Sequence, residues 1–125
     1  MSLYYICIVK EERNYTQMRK GVLEMCILSV ISGNEVYTSD ILKTLKDADL
    51  VVVEGTIYPL LSRLKNEGVL SYRWEESLSG PPRKYYRLTE EGENLLNTLH
   101  NTWLALTSSV NQIMNKKKST DENDH

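Results

Sequence analysis

The sequence holds little with which to do covalent chemistry. Its 125 residues include two cysteines, Cys7 and Cys26, and two histidines, His100 and His125. Two cysteines make neither a disulfide framework nor a zinc site, which leaves a reducing compartment as the default. His125 is the last residue, so imidazole catalysis or metal binding would rest on His100 alone. There is no nucleophile–base pair, phosphate loop or metal cluster, so the expectation is no enzyme, no metal and no cofactor. Long apolar runs are missing as well. The longest, Leu3 to Val9, has seven residues, far short of the ~20 that a membrane helix needs. It also lacks the basic leader and small-residue cleavage site of a signal peptide. The expectation is a cytoplasmic chain with no membrane partner.

What is present fits one folded domain. The mass is 14.5 kDa, 41% of residues are apolar and 26% are charged, a composition that excludes a wholly disordered chain. The net charge of −2 does not announce a nucleic-acid binder, but the distribution does. Between Thr56 and Leu88 lie six bases (Arg63, Lys65, Arg73, Arg83, Lys84, Arg87) and three acids (Glu67, Glu75, Glu76), a segment of net +3 in an acidic protein. From Thr89 to Met114 there are three acids and no Lys or Arg. Clustering of this kind, more than the total, is an electrostatic footprint.

Periodicity predicts a first helix over Gln17–Ser32, with Met18, Val22, Met25, Cys26 and Ser29 along one stripe and Ile27, Leu28, Val30 and Ile31 widening it. Before it, Leu3 to Val9 could be a short strand or a helix fragment, and Lys10 to Asn14 reads as a solvated link. Gly33-Asn34 suits a helix end. A second helix is expected from a Thr38 or Ser39 cap to about Lys46. A third runs from Glu54 or Gly55 to Glu67, with Ile57, Leu60, Leu61 and Leu64 inward and Gly68 just past its end. Strands follow at Val69–Glu75 and Arg83–Leu88, around turn chemistry from Ser77 to Pro82. Thr89 then caps a long helix to about Asn115, with Glu90 and Glu91 in its first turn.

This order predicts a mainly α chain with a small β-hairpin: a winged helix-turn-helix plus a long C-terminal dimerisation helix. The expected divisions are an N-terminal arm of unclear role at 1–16, the winged helix at 17–88, the dimerisation helix at 89–115 and a frayed polar tail at 116–125. With its apolar face inward, the third helix projects Thr56, Tyr58, Ser62 and Arg63. A major groove ~12 Å wide admits one such helix, and these side chains suit base edges and phosphates. In the hairpin, strand alternation puts Arg83, Tyr85 and Arg87 on one face and Lys84, Tyr86 and Leu88 on the other. Arg83 and Lys84 are expected on phosphate, with the aromatics mostly structural. On the last helix Leu96, Leu99, Trp103, Leu106, Val110 and Ile113 form a heptad seam, which a second copy would cover. Trp103 in mid-seam is a packing residue or a flat wall for an aromatic or cationic effector.

Three stretches also resemble a known family. They are Gly55-Thr56-Ile57-Tyr58-Pro59-Leu60-Leu61-Ser62-Arg63-Leu64, then Glu67-Gly68-Val69-Leu70, then Gly80-Pro81-Pro82-Arg83-Lys84-Tyr85-Tyr86-Arg87-Leu88-Thr89-Glu90-Glu91-Gly92. Together with Arg19-Lys20-Gly21-Val22-Leu23-Glu24, they resemble the PadR family of bacterial transcriptional regulators, over about Met18 to Ile113. The resemblance implies a homodimeric repressor on an inverted-repeat operator of double-stranded DNA. It is closest to the short members with a single C-terminal helix, in some of which a tryptophan at the place of Trp103 lines a drug-binding cavity. Two positions depart from the family pattern. Val36-Tyr37-Thr38-Ser39-Asp40 stands where a His-Gly-Tyr-Glu-like turn is usual. Val53 stands where a capping Ser is common, so the third helix must find its cap elsewhere. The competing class is a winged-helix module that binds protein and not DNA; it would show an apolar exposed face on the third helix.

Overall fold

The computed structural model describes the backbone of residues 3–123 and the side chains of residues 12–116. Five helices and one hairpin follow in the order α1 (Leu3–Lys20), α2 (Leu23–Ile31), α3 (Thr38–Asp47), α4 (Glu54–Asn66), β1 (Leu70–Ser77), β2 (Gly80–Leu88) and α5 (Glu90–Asn123). This is the winged helix-turn-helix with a long C-terminal helix that the pattern predicts, and α4 is the third helix of that expectation.

The N-terminal region differs from expectation. Residues 3–16, including the supposed link at Lys10–Asn14, are helical and continuous with the segment that follows. Lys, Glu and Arg are good helix formers, so a polar stretch need not be a loop. The helix expected over Gln17–Ser32 is instead two helices. It breaks at Gly21-Val22, where Val22 N–H turns back to Arg19 O at 2.9 Å, since glycine weakens a helix interior. At the other end α5 runs to Asn123, past the expected stop at Asn115, with no Gly or Pro in between to end it. The expectations for residues 1–2 and 124–125 lie outside the described residues.

The core is built by α2, α3, α4 and the base of the hairpin. Ile27, Leu28, Ile31, Ile41, Ile57, Leu61 and Leu64 are sealed from solvent, joined by Leu45, Val69, Leu70 and Tyr86. The buried face of α2 is therefore Leu23, Ile27, Leu28 and Ile31. Of the wide face expected inward, Ile27, Leu28 and Ile31 are sealed and Cys26 and Val30 pack against the core, but the rest of its central stripe is not: Met18 is 80% exposed, Ser29 is exposed, and Val22 and Met25 are half-buried. Helix α2 has two apolar faces, and spacing alone does not say which one the core takes. Leu95, Leu96 and Leu99 of α5 pack against the same core, and Ser32 Oγ donates to the Glu93 carboxylate at 2.9 Å.

Local signals set the boundaries. Gly33 and Gly68 end α2 and α4 at φ +77° and +81°, a region glycine enters without Cβ strain. Thr89 caps α5 by accepting from Gly92 N–H at 3.1 Å, while its hydroxyl donates to Gly68 O at 2.6 Å. Gly92 lies so close that a Cβ there would run into the Val69 carbonyl oxygen. At α3 the cap is Tyr37 and not Thr38 or Ser39, and the Asp40 carboxylate accepts from Tyr37 N–H at 3.2 Å.

The hairpin is tighter than its sequence implies. Leu78 and Ser79 alone form the turn, and Ser77 pairs with Gly80. Pro81 and Pro82, expected in the loop, lie in β2. The register slips there, so Glu76 faces both prolines between the Glu75–Arg83 and Ser77–Gly80 pairs. A bulge absorbs two residues that have no amide to give, and both strands of a two-stranded sheet are edges where proline is tolerated. Val36, between α2 and α3, adds a bridge to β2: Val36 N–H donates to Tyr86 O at 3.0 Å, and the Tyr86 amide returns the bond at 2.6 Å. That bridge brings Glu35 and Tyr37 against the wing.

Candidate nucleic-acid interface

An α-helix turns about 100° per residue. With Ile57, Leu61 and Leu64 in the core, the outer arc of α4 divides into two flanks. Thr56 and Arg63 share one, Tyr58 and Ser62 the other, with their centres roughly 130° apart. All four are exposed, but they do not face one thing.

The first flank looks toward α1 and α2. Thr56, Pro59, Leu60 and Arg63 line a groove there with Arg19 and Glu24. Arg63 is already engaged: Nη1 donates to Glu67 at 2.7 Å and Nη2 to Glu24 at 3.2 Å. Sequence reading counted Arg63 toward the basic excess, but its charge is matched twice over.

The second flank looks toward the wing. Ser62, Lys65 and Asn66 line a polar recess of about 230 Å³ with Tyr72, Lys84 and Tyr86. Lys84 Nζ stands 4.4 Å from the Tyr72 ring centre and 5.1 Å from that of Trp74; Lys65 Nζ is 5.3 Å from Tyr72. Neither ammonium has a carboxylate within ion-pair distance among the described residues. Lys65 was not among the predicted site residues, though its place three after Ser62 signals the same flank.

The faces of the wing are as alternation predicts. Tyr72 pairs with Tyr86 and Trp74 with Lys84 on one face; Arg73 with Tyr85 and Glu75 with Arg83 on the other. Tyr86 is buried, which turns its face toward the core at the hairpin base. On the opposite face Arg83 stacks 4.9 Å from the Tyr37 ring, and Tyr37 lies 5.6 Å from Tyr85. Arg73 is tied down, 2.7 Å from Glu35 and 3.4 Å from Glu75. Its hydrogen bond holds the Glu35 carboxyl below the ordinary value. The positive charge left for a partner is thus that of Lys65, Arg83 and Lys84, with Arg87 beside Ser71 Oγ at 3.3 Å.

The predicted seam of α5 also divides. Leu96 and Leu99 pack on the chain's own core, whereas Trp103, Leu106, Val110 and Ile113 are exposed, and so are Leu104 and Met114. Trp103 walls two apolar recesses. One, of about 450 Å³, includes Cys26, Val30, Leu45 and His100. The other, of about 360 Å³, lies against Met18, Val22, Leu106 and Val110. Among the described residues no acidic, Cys and His groups could hold a metal, and no helix is long and apolar enough to cross a membrane.

Comparison with known proteins gives a consistent picture. Residues 27–98 match the model of the transcriptional regulator PadR-like family. A PadR-like transcription factor from Bacteroides fragilis is 55% identical, over 78% of this chain and 95% of its own, with a TM-score of 0.69. A PadR family transcriptional regulator from Eggerthella lenta is 32% identical over 90% of this chain and 97% of its own, with a TM-score of 0.78. A PadR-like transcriptional regulator from Bacillus cereus is 40% identical over 78% of this chain and 96% of its own, with a TM-score of 0.69.

Proposed function

This chain belongs to the PadR-like family of transcriptional regulators, which are not enzymes, and on that premise we propose that it acts in the cytoplasm as a homodimeric repressor of an inverted-repeat operator. Helix α4 enters the major groove, with Tyr58 and Ser62 at bases or phosphates and Thr56 and Arg63 on the adjoining edge. Arg83 and Lys84 grip the backbone from the wing. The observation that carries this reading is the gathering of unpaired cations, Lys65, Arg83 and Lys84, on the wing and on the one α4 flank that faces it. Backbone neutralisation needs cations not already matched by protein carboxylates. The exposed arc of α4 is polar apart from Tyr58, Pro59 and the margin of Leu60, which favours DNA over a protein-binding winged helix.

Two copies meet along α5. Trp103, Leu106, Val110 and Ile113 continue the heptad spacing beyond the point where the chain's own core ends, and a second copy would remove them from water. The paired α4 helices would then address half-sites about one helical turn apart, ~34 Å, or a multiple of it. An aromatic or cationic effector beside Trp103 that binds better to a mismatched subunit spacing would release DNA.

The test is binding to the DNA upstream of the chain's own coding sequence at several salt concentrations. Affinity should fall steeply as salt rises; insensitivity to salt would contradict a phosphate grip. Sedimentation should give a dimer at micromolar concentration, and stable single chains there would sink the assembly.

A further inference from the structure

Helix α4 begins without a side-chain cap. Val53 occupies the N-cap position in extended backbone, φ −79° and ψ 150°, so whatever fixes the start of α4 comes from elsewhere. It comes from α1. Arg19 Nη1 donates to Val51 O at 2.6 Å, and the Tyr15 hydroxyl donates to Asp49 O at 3.3 Å. The Arg19 guanidinium lies 5.7 Å from the Tyr15 ring centre, so each side chain helps order the other. Together they hold the segment that reverses the chain between α3 and α4, where Asp49 takes φ +61°. Arg19 holds this position even though its Nε is buried with no partner among the described residues, an arrangement that costs free energy and that its other contacts must offset.

Met18 of the same turn, with the break between α1 and α2 that follows it, lines a different feature. Met18, Gly21 and Val22 wall the apolar groove whose far side is Leu99, Trp103 and Leu106 of α5. In the proposed dimer this groove lies at the seam with the second copy, and an effector seated there beside Trp103 would press on Met18 in the last turn of α1. If α1 moves as a rigid element, that displacement would be delivered through Tyr15 and Arg19 to Asp49 and Val51, five and three residues before α4 begins.

We infer that Tyr15 and Arg19 are positioning residues that couple the groove beside Trp103 to the setting of the DNA-reading helix. The inference rests on the reading of α4 as that helix. Coupling between two sites is reciprocal, so DNA on α4 must be felt at Trp103.

The experiment uses Trp74→Phe as the parent, which leaves Trp103 as the sole tryptophan of the full chain. The parent is titrated with a duplex from upstream of its own coding sequence and with an unrelated duplex of equal length. The upstream duplex should change Trp103 emission. Adding Arg19→Met should weaken the upstream duplex about fivefold, the scale of one net hydrogen bond. It should leave the unrelated duplex nearly unchanged, because phosphate attraction tolerates a misaligned helix and base reading does not. The Trp103 change at saturating DNA should vanish. Arg19→Lys, which keeps a donor for Val51 O, should restore most of both, and Tyr15→Phe should show a smaller loss of the same sign. If Arg19→Met lowers helicity, Arg19→Lys and Tyr15→Phe decide the matter. An unchanged specificity ratio, or a Trp103 response that survives Arg19→Met, overturns the inference while leaving the DNA-reading role intact. A parent that does not prefer the upstream duplex sinks the DNA-reading role and this inference with it.

Discussion

The two flanks of α4 have similar chemistry and different circumstances. On the side facing α1 and α2, Arg63 is held by Glu24 and Glu67. On the side facing the wing, Lys65 and Lys84 both lie against the Tyr72 ring and meet no acid among the described residues. Aromatic rings hold a cation in place without cancelling its charge, whereas carboxylates cancel it. A count of basic residues therefore overstates the unmatched charge on one flank, and on the proposed reading the wing side would carry more of the attraction to DNA than its share of the count.

The largest expected effect tests that difference directly. Arg83→Ala with Lys84→Ala should weaken specific and non-specific DNA together, by about tenfold to a hundredfold at low salt, and lower the salt slope by about two. No change in either would show the wing assignment to be wrong. Arg63→Ala should cost less, about threefold to tenfold on specific DNA, with a slope change of less than one, since its charge is already matched. A loss equal to that of the wing pair, measured under the same salt series, would erase the distinction between the flanks. Glu24→Gln goes the other way. Freeing one side of Arg63 should raise DNA affinity about twofold, in keeping with the small worth of an exposed ion pair.

The smallest effect concerns the tied cation of the wing. The Glu35 carboxyl is held low by its hydrogen bond from Arg73. Its stabilisation is therefore full above the ordinary glutamate value of about 4.3 and is lost as pH falls through the lower folded value. The difference in thermal midpoint between the native chain and Glu35→Gln should be small at pH 7 and should shrink toward nothing as acid carries the pH below the lowered folded value. A difference that grows with acid would have the wrong sign.

Much of this architecture was legible along the chain because its causes are local. Thr89 with Gly92 three residues on, Gly68 after α4, and the alternation from Arg83 to Leu88 each act within a few residues. Other features were hidden by the same logic. The distant partners of Arg63 and Arg73, Glu24 and Glu35, are 39 and 38 residues away, so no local window contains those pairs, although Glu67 and Glu75, the other partners, are close in sequence. Pro81 and Pro82 look like loop residues until the bulge opposite Glu76 gives them a place in a strand. The stripe through Met18 and Ser29 has sound helical spacing yet is not the core face.

By itself, then, the order of residues determined the kinds of element from α3 to α5, the Thr89 cap of α5 and the alternation of the ribbon, because backbone sterics and nearest-neighbour hydrogen bonds depend on few positions. The folded arrangement alone decided which charges remain unmatched, which of two apolar faces on α2 is sealed, and that α1 reaches the turn before α4. Those outcomes depend on distances between segments far apart in the chain, and electrostatics and packing respond to distance in space.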